Sequence, residues 1–329
     1  MRDDLRNKCI LFIKNRDTFK AAFPFENSSL FPICASILTD KERVADPEVL
    51  KETRKMLKSR VNVFSNFRSN CELPILAMLD VDSDPEWRLD DAIKLYESLK
   101  DHFFSSEYLP LAAMVLSGTT ERANAAERTR RIYDLMKKEH PFLTSSEDCV
   151  FAALLAVSEK GDQELIREIE TCYDTLKAKF YDRNALQSLS HVLALIGDEF
   201  AAASDKCRNT IRLYDMLKEK KQRYGTSYEL STLGVIANLP GELDEICRDL
   251  IEVSEFLKTQ KGYGIFGCDK QQRLLHAAMI VTSDRIGASD VNACAAVNGT
   301  ISMIAAQQAA VCASVAVSIS VANTVNASR

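Results

Sequence analysis

Six times along the chain a helix-like run ends in a bulky apolar residue followed by Lys: Leu57-Lys58, Leu99-Lys100, Met136-Lys137, Leu176-Lys177, Leu217-Lys218 and Leu257-Lys258. Successive lysines lie 42, 37, 40, 41 and 40 residues apart. A period near 40, sustained over that distance, is the pattern of helical hairpins laid side by side, each hiding an apolar face against the next. Among the units, Asp46-Pro47-Glu48 and Asp84-Pro85-Glu86 supply an N-cap, a proline at the first helical position and an acid in the first turn. The first helix of a unit is amphipathic, as in Leu165, Ile169, Cys172, Tyr173 and Leu176, where steps of three and four mark one buried stripe. Tyr96, Tyr133, Tyr173 and Tyr214 each fall four residues before the lysine, a placement expected for core positions with the hydroxyl at the rim.

After the lysine comes a turn rich in Phe, Ser, Asn or Gly, then a shorter helix apolar on nearly all faces, over 73–79, 108–116, 149–157, 186–196, 230–239 and 274–281. Such a helix must be covered on both sides, as neighbouring hairpins would do. Phe12, Ile13, Lys14 and the run 30–38 read as a seventh, degenerate unit, 44 residues ahead of Lys58. The expectation is an all-α domain over 1–285: a right-handed, α-solenoid-like superhelix of six to seven antiparallel helix hairpins. A C-terminal segment over 286–329, rich in Ala, Val and Ser, is expected to pack on it as a small-residue helix. Ile301 to Asn323 has no charge, but Gln307, Gln308, Ser314, Ser318 and Ser320 argue against a membrane span.

The net charge of −5 gives no electrostatic invitation to nucleic acid, which would need a basic face, and no nucleic-acid partner is expected. The run Lys218, Lys220, Lys221 and Arg223 sits at a helix end, where cations suit the macrodipole. Ten cysteines without a C-x-x-C pair, and no apolar leader after Met1, point to reduced, buried thiols in a cytoplasmic protein.

Gly262-Tyr263-Gly264-Ile265-Phe266-Gly267 fits the dinucleotide fingerprint, yet a helix precedes it where that fold needs a strand. It reads as the turn inside a hairpin; a weaker option is an anion held by the turn, with help from Lys270 and Arg273. The four histidines show no metal-ligand spacing, and no cofactor is called for. His191 and His276 fall in mid-helix apolar runs and are expected to be hydrogen-bonded structural residues. Thr144-Ser145-Ser146-Glu147 has the form of a capping box, Glu147 reaching back.

The phrases Phe64-Ser65-Asn66-Phe67-Arg68, Ser105-Ser106-Glu107-Tyr108-Leu109, His140-Pro141-Phe142-Leu143-Thr144, Asn184 to His191, Lys261-Gly262-Tyr263-Gly264 and Ala305 to Ala310 occur in an order that resembles a family of bacterial proteins catalogued as a domain of unknown function. The resemblance spans nearly the whole chain. It implies a bacterial cytoplasmic protein and brings no substrate, cofactor or catalytic residue.

The functional expectation is a binding scaffold, with a protein, peptide or small ligand in the concave trough that stacked hairpins create. Arg68, Glu107, His140, Gln187, His191 and Arg273 are the expected lining. The alternative is an enzyme whose acid/His site draws on Glu107, Glu147, Asp148, His140 and His191, which then must converge in one pocket.

Overall fold

The computed structural model describes residues 1–117, 124–196, 201–264 and 267–287. The Ala/Val/Ser-rich segment beyond residue 287 lies outside them. The described residues form fourteen α-helices in seven hairpins and contain no strand. The first, longer helices are α1 (Asp3–Ala22), α3 (Pro47–Arg60), α5 (Pro85–Lys100), α7 (Ala125–Glu139), α9 (Asp162–Leu176), α11 (Ala203–Glu219) and α13 (Leu243–Lys258). Their partners are α2 (Phe31–Asp40), α4 (Glu72–Asp80), α6 (Leu109–Leu116), α8 (Asp148–Ala156), α10 (Arg183–Leu195), α12 (Leu230–Ile236) and α14 (Lys270–Gly287).

Local chemistry sets these boundaries. The Asp46 carboxylate accepts from the Glu48 N–H at 2.8 Å and Asp84 from the Trp87 N–H at 3.0 Å, each ahead of a proline at the first helical position. The first helices bury one stripe. By contrast every residue of α4, α6, α8 and α12 is buried, so these helices form the inner layer. Their carbonyl ends would be orphaned in that layer. Cations from the outer helices reach in to satisfy them. Arg88 donates to the Met114 carbonyl at 2.7 Å, Arg128 to Ala156 at 2.8 Å, and Lys206, fully buried, to Ile196 at 2.5 Å.

The hairpins do not end in two free faces. Outer helices touch in succession, α1 on α3 through α11 on α13, and α13 returns to α1. Among inner helices, α2 packs on α4, and α6, α8, α10, α12 and α14 follow one another; α14 then packs on α2. Between α4 and α6 the junction runs through the turn ahead of α4, which touches α6. At the seam the Arg2 guanidinium lies 2.6 Å from Asp284, the Arg16 guanidinium 5.1 Å from the centre of the Tyr263 ring, and the Phe12 and His276 rings 6.2 Å apart. The first hairpin thus packs against the last, where the ends of the expected solenoid-like superhelix would need polar caps.

The register of the first unit also differs. Its last-turn lysine is Lys20, not Lys14, because α1 runs on to Ala22. Tyr96 and Tyr133 are core residues as expected, with Tyr173 and Tyr214 half-buried beside them. Each meets the aromatic in the preceding hairpin's turn. Phe67 packs edge-on to Tyr96, Phe103 to Tyr133 and Phe180 to Tyr214, at 5.2–5.3 Å between centroids. His140 takes the same place against Tyr173 at 4.4 Å.

Candidate functional site

All seven outer helices end, and all seven inner helices begin, at one end of the closed array. Hydrogen bonds link neighbouring turns there. Asn66 donates to Ser105 at 2.8 Å, Gln187 to Thr144 at 2.9 Å, and Ser227 to Asp182 at 3.2 Å. The expected site residues all belong to this end but do not gather in one place. Arg68 is half-buried in the turn before α4, and Glu107, before α6, accepts from Asn70 at 2.8 Å. Arg273, in the first turn of α14, is spent on the Ser254 hydroxyl at 3.2 Å. His140 bonds Glu170 at 3.0 Å and fills a position that is Phe in other hairpins, which gives it a packing role.

Three of the expected residues do meet. Gln187 and His191 stand one turn apart on α10, beside Asp148 at the start of α8. The His191 Nδ1 is 3.8 Å from Asp148 Oδ1, too far for a hydrogen bond, and neither ring nitrogen has a hydrogen-bond partner among the described residues. The hydrogen bond expected for His191 is therefore missing, whereas His276 has one, to the Tyr263 hydroxyl at 2.9 Å. Burial pushes the Asp148 carboxyl up to about 7, against the pull of the Ser145 N–H that it accepts at 2.8 Å. Burial, reinforced by His140, pushes the His191 imidazole down to about 3. Proximity alone would suggest an ion pair. Below about pH 7, two desolvated groups without a shared hydrogen bond are better described as a neutral acid beside a neutral imidazole. It is Asp148, not Glu147, that reaches back to the preceding turn; the carboxyl of Glu147 is raised by burial alone. Both members of the pair are closed off from solvent, and the neighbouring Ser190 hydroxyl donates to the Leu186 carbonyl.

An open cleft lies elsewhere, on the closure seam between the first and last hairpins. Its volume is about 950 Å³, and its walls come from α1, the start of α2, the turn before α12, the glycine turn and the start of α14. Arg16, Lys20 and Lys261 bring three cations, with Asp17 the one acid. Phe31, Tyr228, Tyr263 and His276 supply aromatic surface. Two smaller concavities, about 420 Å³ around Arg2 and Lys8 and about 580 Å³ along α11, are shallower grooves. Gly262 holds φ at +90° and its carbonyl accepts from the Cys268 N–H at 2.9 Å, so the glycine-rich segment is the turn between α13 and α14, as its sequence context implied. Lys270 donates to the Lys221 carbonyl at 2.7 Å. Arg16, Lys20 and Tyr228 escaped the sequence reading because their proximity to the glycine turn arises only from closure. Among the described residues no cluster of three or more His, Cys, Asp or Glu is placed to hold a metal ion.

Fold and cleft together define an all-helical protein of repeated hairpins whose ends meet around a cationic, aromatic seam. Residues 16–309 match the model of the family described as Protein of unknown function (DUF4003), and the chain belongs to that family. It is similar to Uncharacterized protein YeaA of Bacillus subtilis (strain 168), at 28% identity over 184 residues. That match covers 54% of this chain and 56% of the relative, so the chain spans little more than half the relative's length. No solved structure matches the chain. No described helix is long and apolar enough to cross a membrane.

Proposed function

We propose that the hairpin array is a binding scaffold for a small organic anion with an apolar or aromatic body, held in the seam cleft. The observation that carries this reading is the convergence of Arg16, Lys20 and Lys261 on a cavity walled by Phe31, Tyr228 and Tyr263. Cations beside an apolar wall suit a carboxylate, sulfonate or phosphate attached to a ring or chain. Seven buried free thiols among the described cysteines favour a reducing, cytoplasmic setting.

The acid/His enzyme remains the second reading, and the Asp148–His191 contact is its support. Catalysis there would require a path for substrate to two groups that are at most 3% exposed. The cleft carries no such cost.

The aromatic sulfonate 8-anilinonaphthalene-1-sulfonate is a probe of the right chemistry. Titration of the folded full chain should give saturable, single-site fluorescence enhancement. Lys20→Glu with Lys261→Glu should weaken it about tenfold, the effect of losing two charge contacts of about 0.7 kcal/mol each. Enhancement that never saturates, or an unchanged affinity in the double variant, would reject the cleft as the site.

A further inference from the structure

At the same end of the molecule, independently of the cleft, the chain exposes large aromatic side chains in a regular series. Phe25, Phe64, Phe104, Phe142 and Tyr181 are 100%, 92%, 99%, 98% and 87% exposed. They are spaced 39, 40, 38 and 39 residues apart, one in each turn from outer to inner helix of the first five hairpins. In the third and fifth hairpins the residue before is an aromatic turned inward: Phe103 packs on Tyr133 and Phe180 on Tyr214. The sixth and seventh hairpins keep the inward residue, Tyr224 and Tyr263, and follow it with Gly225 and Gly264. Folding accounts for the inward ring alone; the outward ring packs on nothing and leaves apolar surface in water.

Cations accompany the rings. The last turns of α1, α3, α5, α7, α11 and α13 carry Lys20, Lys58, Lys100, Lys137, Lys218 and Lys258, and Lys177 follows α9. Lys20, Lys137 and Lys138 are exposed and have no carboxylate partner among the described residues. Lys100 and Lys177 sit 2.6 Å from Glu97 and Asp174 one turn back, in exposed pairs that exchange easily for another anion. The opposite end bears the outer-helix starts with Asp46, Glu48, Asp84, Glu86, Asp162 and Glu164.

We propose that the aromatic end docks on an anionic lipid bilayer surface, with the rings entering the headgroup region and the lysines at the phosphates. The five rings sit in equivalent turns at the same end of successive outer helices, the arrangement that an extended surface, rather than a pocketed partner, would engage. Phe and Tyr favour the interfacial zone, and each Lys near an anionic leaflet adds attraction that salt screens. A second copy of the chain would oppose one lysine rim to another, which disfavours a face-to-face dimer as the occupant.

The test uses the full chain in flotation with vesicles of phosphatidylcholine alone and with roughly one-third phosphatidylglycerol. The chain should float with the anionic vesicles and be released by salt. Phe25→Ser, Phe64→Ser, Phe104→Ser and Phe142→Ser combined should lower binding at least tenfold with an unchanged melting curve. A single-tryptophan variant gives a second reading that does not depend on removing the rings. Trp87, the chain's single tryptophan, stands at the acidic end. Its emission should stay constant on vesicle addition, whereas Phe104→Trp, in a Trp87→Phe background, should shift to the blue. No flotation of the natural chain overturns the proposal. So does flotation unaffected by the four substitutions, or loss of a dimer in light scattering when the rings are removed.

Discussion

The two ends of this molecule are built from the same seven repeats and treat their charges in opposite ways. At the end where outer helices start, three cations point inward. Arg88, Arg128 and Lys206 cap the inner-helix carbonyls, and Lys206 also lies 2.9 Å from Glu168 with no exposure at all. At the other end a series of lysines and aromatics is left on the surface, although Arg16 and Arg273 are buried against Tyr263 and Ser254. One end holds the layers together; the other is left with side chains that folding does not use. That contrast, more than any single residue, is the ground for proposing function at the turn end.

The largest effect should fall on the inward cations. Lys206→Ala leaves the Leu193 and Ile196 carbonyls without this donor, takes from Glu168 one of its two lysine partners, and should cost about 3–5 kcal/mol, read as a lower urea midpoint. A loss below about 1 kcal/mol would mean that the clamp is dispensable and that the ends differ less than supposed.

Much of this was legible beforehand, and the failures have physical causes. The lysine period placed every outer helix end from Lys58 onward within a few residues, because an amphipathic stripe, a cap and a dipole-matched cation agree there. The fully apolar runs placed the inner helices. Closure was not legible: Arg16 meets Tyr263 across nearly the whole chain, and no local pattern encodes that encounter. Nor could sequence separate Phe103 from Phe104, adjacent residues of the same type, one packed on Tyr133 and the other wholly in water. The site residues chosen by repeat position all lie at the turn end but do not gather in one place. Gln187, His140 and Arg273 serve neighbouring turns and helices, and the cleft's cations lie on α1 and the glycine turn.

A middle-sized effect should come from the buried acid and base at the turn end. Asp148 titrates near 7 in the fold against its ordinary 3.8, so the folded state holds more protons and stability falls as pH rises between those values. His191 is held near 3 against 6.5, so there the unfolded state holds more protons and stability rises with pH. The two slopes oppose each other between about pH 4 and 6.5 and leave the natural chain nearly flat at this site. Asp148→Asn should unmask a rise in stability across that window, and His191→Gln a fall, each up to ~3 kcal/mol by denaturation at several pH values. Two unchanged profiles would mean that neither group is held away from its ordinary titration range, against the neutral pair.

The smallest effect should be at the exposed rings. Phe142→Ser should change stability by less than about 0.5 kcal/mol, since the side chain is 98% exposed. A larger loss would place the ring in the structural half of the comparison.

The claim beneath all of this is that the first hairpin packs on the last, bringing all seven turns into one face and creating the cleft. A double-mutant cycle across the seam tests it, with Arg16→Met, Tyr263→Leu and the pair, measured by urea denaturation. Contact between the guanidinium and the ring predicts a coupling of about 0.5–2 kcal/mol. Additivity within about 0.3 kcal/mol would contradict it and return the molecule to an open stack.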